Sequence, residues 1–153
     1  MLNKSGVFLL LTLLAGTCLA ADMGQRLVAA AASGDERVVL NMLAQGVDAN
    51  TKNAAGRPVL LLAAYNGNIR TLRALLGAGA DMNAVDGAGN SALHEASAFG
   101  RVDSVEALIL AGADVNLKNS AGQGALKRAA LGKHQAVIKL LEEAGATEDA
   151  SAN

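Results

Sequence analysis

Two histidines, His94 and His134, are the side chains of this sequence best suited to acid–base catalysis or metal binding. A metal site needs several ligands at suitable spacing, and no Cys, Asp or Glu cluster accompanies either histidine in that way. The single cysteine, Cys18, lies in an apolar N-terminal segment far from both. The residues therefore predict no catalytic centre, no metal site and no cofactor, and they indicate that the protein is not an enzyme.

Two other kinds of segment could be mistaken for ligand sites. Asp48, Asp81 and Asp114 are each followed two residues later by an Asn, but calcium loops need a denser run of acidic oxygens and a final Glu. The glycine-rich segments GAGAD and DGAGNS lack the Lys-Ser/Thr of a phosphate loop. Short Asp and Asn side chains bond to nearby backbone in tight turns, so we interpret these segments as turns.

The first twenty residues have the pattern of a secretory signal peptide. Lys4 precedes an apolar run at 7–16 that is short for a membrane span, and small residues follow as far as Ala20. Cleavage there would leave a mature chain without cysteine, which suits an oxidising compartment. We therefore expect a bacterial protein located in the periplasm, with no membrane insertion after cleavage. The alternative of a lipoprotein anchored at Cys18 is disfavoured, because Thr17 interrupts the short motif it requires.

Composition and charge restrict the remaining classes. The chain has 153 residues, of which 52% are apolar and only 2% aromatic, and it contains 17 glycines. This length allows one domain, and an interior built from Ala and Leu favours closely spaced helices. With 13 Lys and Arg against 14 Asp and Glu, the chain offers no excess of positive charge for nucleic acid or an anionic membrane.

A period of 33 residues runs through the sequence. The turn segments recur at this interval as GVDANTKN (46–53), GADMNAVD (79–86) and GADVNLKN (112–119), and the helical segments between them recur likewise. One such unit cannot bury its own apolar face, whereas stacked units share a continuous core. The period therefore predicts a repeat solenoid.

Each unit has the pattern of two short helices. In the third unit the first helix is predicted over about 91–98 and the second over about 102–111, with Gly100 ending the first in a left-handed conformation. Val105, Leu108 and Ile109 lie at helical spacing and predict the buried face of the second helix. In the fourth unit Lys133 stands where a glycine is expected, so we expect a shifted or frayed end of its first helix.

The last unit is more polar than the others. Glu142 and Glu143 replace apolar residues of the earlier units, and Lys127, Arg128 and Lys139 are added nearby. A terminal unit has no neighbour on one side, so we interpret these charges as a solvated outer face. The tail that follows, residues 148–153, is expected to be disordered.

The third unit, GNSALHEASAFG followed by LILAGADVN, resembles the ankyrin repeat, with Ser91 at the family's Thr position and His94 at its His position. The second unit departs from the pattern, because Pro58 comes one position early and Leu61 replaces the His. The resemblance implies a structural His94 bonded to Ser91 and to neighbouring hairpin backbone. It also implies an all-α solenoid of four helix-turn-helix units joined by β-hairpin-like turns. These units lie at about 21–53, 54–86, 87–119 and 120–147.

The resemblance also implies a concave binding groove formed by hairpin tips and first helices. Tyr65 and Phe99 fall in this groove, at adjacent positions of successive first helices, and we expect them about one repeat spacing apart on the same side. They are either anchors for a partner protein or filler between small neighbours. The expected partner-binding residues are Lys52, Arg57, Tyr65, Asn66, Asn90, Phe99, Lys118, Gln123 and Leu131.

These observations predict a non-catalytic, monomeric protein–protein interaction module with an unknown protein partner. A periplasmic scaffold or chaperone is the most general role. Small exported bacterial proteins that are similar to ankyrin repeats are also associated with catalase function, which leaves open a helper of catalase in peroxide defence. A third hypothesis is an immunity protein that neutralises a secreted toxin.

Overall fold

The computed structural model describes residues 22–147, in which the chain forms eight helices and no β-strand. The predicted signal peptide and the predicted disordered tail lie outside the described residues. Residues 22–33 form α1. The other helices are α2 (Glu36–Ala44), α3 (Val59–Asn66), α4 (Ile69–Gly77), α5 (Ala92–Ala98), α6 (Val102–Leu110), α7 (Ala125–Leu131) and α8 (Gln135–Glu143). Within this part of the chain, no helix is both long and apolar enough to cross a bilayer.

The helices lie in two layers. One layer packs α3, α5 and α7 side by side, and the other packs α2, α4, α6 and α8. Each helix of the first layer also packs on the helix that follows it in sequence, so that α3–α4, α5–α6 and α7–α8 form pairs. Contacts therefore run between neighbouring units, and the predicted all-α repeat solenoid is confirmed.

Alanine and leucine fill the space between these helices. In the first layer Ala63, Ala96 and Ala129 occupy equivalent positions and are fully buried, which lets the helix backbones approach closely. The predicted buried face of α6 is confirmed at Val105 and Leu108, which have no exposed surface, while Ile109 is half-buried.

The loops between helix pairs turn back on themselves as short tips. In the described residues the tips carry isolated antiparallel bridges, between Lys52 and Pro58 and between Val85 and Ser91. Asn53 fixes the first tip, since its Oδ1 accepts from the backbone N–H of Arg57 at 2.9 Å. The tips therefore owe their shape to side-chain capping and single bridges.

A ladder of Asn side chains joins successive turns, which confirms their interpretation as structural turns. Within each turn, the Asp carboxylate accepts from the backbone N–H two residues later. The Asn at that position then accepts, through Oδ1, from a backbone N–H of the next turn. The bonds run from Asp81 to Asn50 at 2.8 Å, from Asp114 to Asn83 at 2.9 Å and from Thr147 to Asn116 at 2.9 Å.

The end of α7 differs from its expectation. α7 ends at the same place in its unit as α5, neither shifted nor shortened. Lys133 itself adopts the left-handed conformation, with φ of 58°, where Gly100 has φ of 64°. Gly132 has an ordinary φ of −79° but allows close packing, because a Cβ there would lie 2.5 Å from the ring of His134. In this unit the glycine, Gly132, and the left-handed residue, Lys133, are therefore different residues, and the helix still ends at the equivalent position.

Candidate protein-binding surface

An exposed aromatic pair lies where α3 and α5 end. The rings of Tyr65 and Phe99 meet edge-on, with their centroids 4.6 Å apart and their planes at 71°. The exposed fractions of these two residues are 38% and 45%. The expected separation of one repeat spacing is wrong, because the two long side chains bridge the gap between first helices and touch. Such edge-to-face contacts hold each ring in a defined orientation.

Arg57, in the tip before α3, extends this pair with a positive charge. Its guanidinium carbon lies 5.7 Å from the centre of the Tyr65 ring, within cation–π range. The same guanidinium approaches Asp86 at 3.8 Å and Glu95 at 3.3 Å. Arg57 therefore links the tips of two units to the aromatic pair.

Glu95, on α5, is the buried centre of the charged groups. Its side chain is only 7% exposed and lies between Arg57 and Arg128, whose Nη2 is 3.6 Å from the carboxylate. A buried carboxylate is tolerated only with such partners. The interpretation of Arg128 as part of a solvated cap is therefore wrong, since its side chain is only 27% exposed and paired across a repeat junction. We call Arg57, Tyr65, Glu95, Phe99 and Arg128 together the tip surface.

Sequence reasoning missed Glu95 as a member of this surface. A signal was present, because Glu95 and Arg128 occupy the same position in successive units and carry opposite charges. The equivalent residue of the second unit is Leu62, so the charge is not required by the repeat pattern.

His94 has the structural role that the resemblance implied. Ser91 Oγ lies 2.9 Å from Nδ1 and the Ser91 backbone N–H donates to the same atom, so Nδ1 is the acceptor. The proton therefore resides on Nε2, which donates to the backbone carbonyl of Gln123 at 3.0 Å. Burial lowers the pKa of His94 from its ordinary value, and the nearby charge of Arg128 acts in the same direction. A neutral His94 thus joins two units rather than offering a reactive group.

His134 is half-buried at a junction between units. It begins α8 as its N-cap, and its Nε2 lies 3.0 Å from the carbonyl oxygen of Ala98 at the end of α5. Equivalent residues make the same kind of contact at earlier junctions, where Asn68 reaches Ala31 and Arg101 reaches Tyr65. His134 therefore has a structural role at this recurring junction.

Other predicted contact residues mostly support the scaffold. Asn66 donates to the carbonyl of Ala32 in α1 at 3.2 Å, and Asn90 accepts from the Asn119 amide at 2.9 Å. Lys52 is exposed on the tip that carries Arg57. Leu131 is 63% exposed at the end of α7.

Lys118 and Gln123 lie at a different place from the aromatic pair. Both line an open cavity of about 320 Å³ at the C-terminal end of the solenoid, together with Asn116, Leu126 and Thr147. Of the predicted contact residues, the structure therefore brings Arg57, Tyr65 and Phe99 together and places Lys118 and Gln123 elsewhere.

No group of three His, Cys, Asp or Glu side chains within residues 22–147 is placed to hold a metal ion. The geometry instead offers an exposed aromatic pair beside paired charges on a stacked-helix scaffold. That arrangement is typical of a surface that binds another macromolecule.

The fold is a helical repeat solenoid, and the tip surface is of the kind that such solenoids use to bind other proteins. The family model for ankyrin repeats, in three copies, matches residues 27–119, and the chain belongs to the ankyrin repeat family. The match ends before α7 and α8. Ankyrin repeats form protein–protein interaction modules that are generally not catalytic. Among curated proteins no match is found.

Proposed function

We propose that this protein is a periplasmic scaffold or chaperone that binds another exported protein through the concave side of its tips and first helices. The exposed Tyr65–Phe99 pair carries this proposal. Leu and Ala already fill the core, so the two rings are not needed there, and each keeps more than a third of its surface exposed. Aromatic side chains in such positions are frequent anchors of protein interfaces.

The scaffold suits this role because it is ordered before a partner arrives. The Asn ladder and the His94 contacts hold successive units in register. The Tyr65 ring contacts both the Phe99 ring and the Arg57 guanidinium. A surface that is already ordered loses little conformational entropy on binding.

Affinity capture from a periplasmic extract, followed by mass spectrometry, identifies the partner. Binding is then measured for Tyr65→Ala and Phe99→Ala. We expect each change to weaken binding by about 2 kcal/mol or more, roughly 30-fold. Leu40→Ala is the matched control, because Leu40 is also half-exposed but lies on α2 in the other layer. If affinity is normal while the free energy of unfolding falls strongly, the rings are core filler and the proposal fails.

The location is tested separately. We expect N-terminal sequencing of the exported protein to begin near Ala21, and intact residues 1–20 or a lipid on Cys18 would contradict export by cleavage. The identity of the captured partner also decides between roles. A catalase would favour the peroxide-defence hypothesis, and a secreted toxin would favour the immunity hypothesis.

A further inference from the structure

We infer that the partner segment bound at the tip surface is acidic and carries an aromatic or aliphatic side chain next to its carboxylate. This inference rests on the proposed function and specifies the chemistry of the partner. It follows from how charge is distributed across the tip surface.

The positive side chains of this surface are more exposed than the negative ones. The side chains of Arg57 and Arg128 are 30% and 27% exposed, whereas those of Glu95 and Asp86 are only 7% and 11% exposed. Lys52 adds an exposed positive charge on the same tip as Arg57. The whole chain has a formal net charge of −1, so this local excess of exposed positive side chains is a property of the surface and not of the composition.

The two guanidiniums also retain capacity to donate hydrogen bonds. Their closest approaches to Glu95, 3.3 Å and 3.6 Å, are longer than the roughly 2.7–2.9 Å of a strong charge-assisted hydrogen bond. The Nε atoms of Arg57 and Arg128 are buried and lie out of a partner's reach, so a partner would have to bind the terminal Nη groups of these partly exposed side chains. A planar guanidinium matches a carboxylate through two parallel N–H groups, so a carboxylate from a partner would complete this arrangement.

The aromatic pair determines what lies beside that carboxylate. The ring of Tyr65 is 5.7 Å from the Arg57 guanidinium and touches Phe99. A segment whose carboxylate binds Arg57 therefore places a neighbouring side chain against two exposed rings, which favours an apolar residue. A basic segment would meet like charges, so the surface discriminates against it.

Three synthetic peptides of equal length test this inference with the mature protein. The first contains several Asp and Glu around one Phe, the second replaces the acids with Lys, and the third keeps the acids but replaces Phe with Ser. Binding is followed by fluorescence anisotropy at low and at physiological ionic strength. We expect the first peptide to bind at least about tenfold tighter than either of the others, with affinity that falls as salt rises.

Variants of the protein then locate the site. Arg57→Gln and Arg128→Gln should each weaken binding of the first peptide by about tenfold. Arg70→Gln is the matched control, because the Arg70 side chain is 82% exposed on α4, in the other layer, and it should leave affinity within about twofold. If an arginine variant unfolds, Lys52→Gln replaces it, with an expected loss of about threefold and a weaker salt dependence.

The outcomes separate this inference from the proposed function. Equal or tighter binding of the Lys peptide, or unchanged affinity in the arginine variants, overturns the inference that the partner segment is acidic. If such binding still depends on Tyr65, the proposed docking role survives. Failure of all three peptides to bind also overturns the inference. The proposed function is then tested by the effect of Tyr65→Ala on binding of the captured partner.

Discussion

The carboxylate of Glu95 lies 3.3 Å from the guanidinium of Arg57, across the junction between two successive helix pairs. On its other side the same carboxylate meets Arg128 at 3.6 Å. One buried negative charge therefore connects three successive units. In a solenoid, stability is the sum of each unit and its junctions, so the loss of this charge weakens two junctions together.

Glu95→Gln should lower the free energy of unfolding by about 1–3 kcal/mol, because it keeps the shape but removes the charge partner of Arg128 and leaves Arg57 with only its longer contact to Asp86. The cost is below the roughly 3–5 kcal/mol of a fully buried pair, since water reaches both guanidiniums. Glu106→Gln, at an exposed position of α6, is the control and should change stability by less than about 0.5 kcal/mol. Urea unfolding measures both, and equal effects would show that the pairing contributes nothing.

Two leucines of α6 test the buried face directly. Leu108 has no exposed surface and Leu110 is 80% exposed, two residues further along. Leu108→Ala should cost about 2–5 kcal/mol because it leaves a cavity in the shared core, and Leu75→Ala in α4 should behave alike. Leu110→Ala should cost less than about 0.5 kcal/mol. Denaturant melts that show no difference between the two α6 variants would contradict this assignment of the core.

The helices could be predicted from sequence because the contacts in a solenoid are made between units that are neighbours in sequence. α5 and α6 begin and end within about one residue of their predicted bounds, since each unit packs on its neighbours and the 33-residue period repeats that packing. The Asn ladder uses Asp and Asn residues that recur with the same period.

The tip surface could be predicted only in part, because its contacts cross junctions by side-chain reach. Tyr65 and Phe99 were expected on one side, but their direct contact depends on how far each ring extends. Arg128 resembled a surface charge, and only the stacked helices bring it to Glu95. The period specifies which positions face each other, while the particular pairs depend on residues that differ between units.

His94 should make stability depend on pH. Its folded pKa lies below the ordinary 6.5, mainly through burial, against the opposing effects of the Gln123 carbonyl and Asp86. As pH falls, the unfolded chain binds the proton first, so this contribution is complete above about pH 6.5 and is lost as pH falls towards the folded pKa. Urea melts between about pH 7.5 and 5.5 should therefore show a decline that is smaller in His94→Gln. The same decline in both proteins would contradict this role.

Lys133 provides a test of backbone strain at the end of α7. Its φ of 58° lies in the left-handed region, which costs an L-residue with a Cβ about 1–2 kcal/mol and costs glycine little. Lys133→Gly should therefore raise the free energy of unfolding by about 0.5–1 kcal/mol, the remainder being offset by the greater freedom of glycine in the unfolded chain.

The reverse change at Gly122 completes that test. Gly122 has φ of 71°, and a Cβ there would meet nothing within 4 Å, so Gly122→Ala introduces conformational strain without a steric clash. It should lower the free energy of unfolding by about 1 kcal/mol. Both variants are compared with wild type in urea melts. Opposite signs are expected, and a Lys133→Gly protein less stable than wild type would mean that contacts of the lysine outweigh its backbone strain.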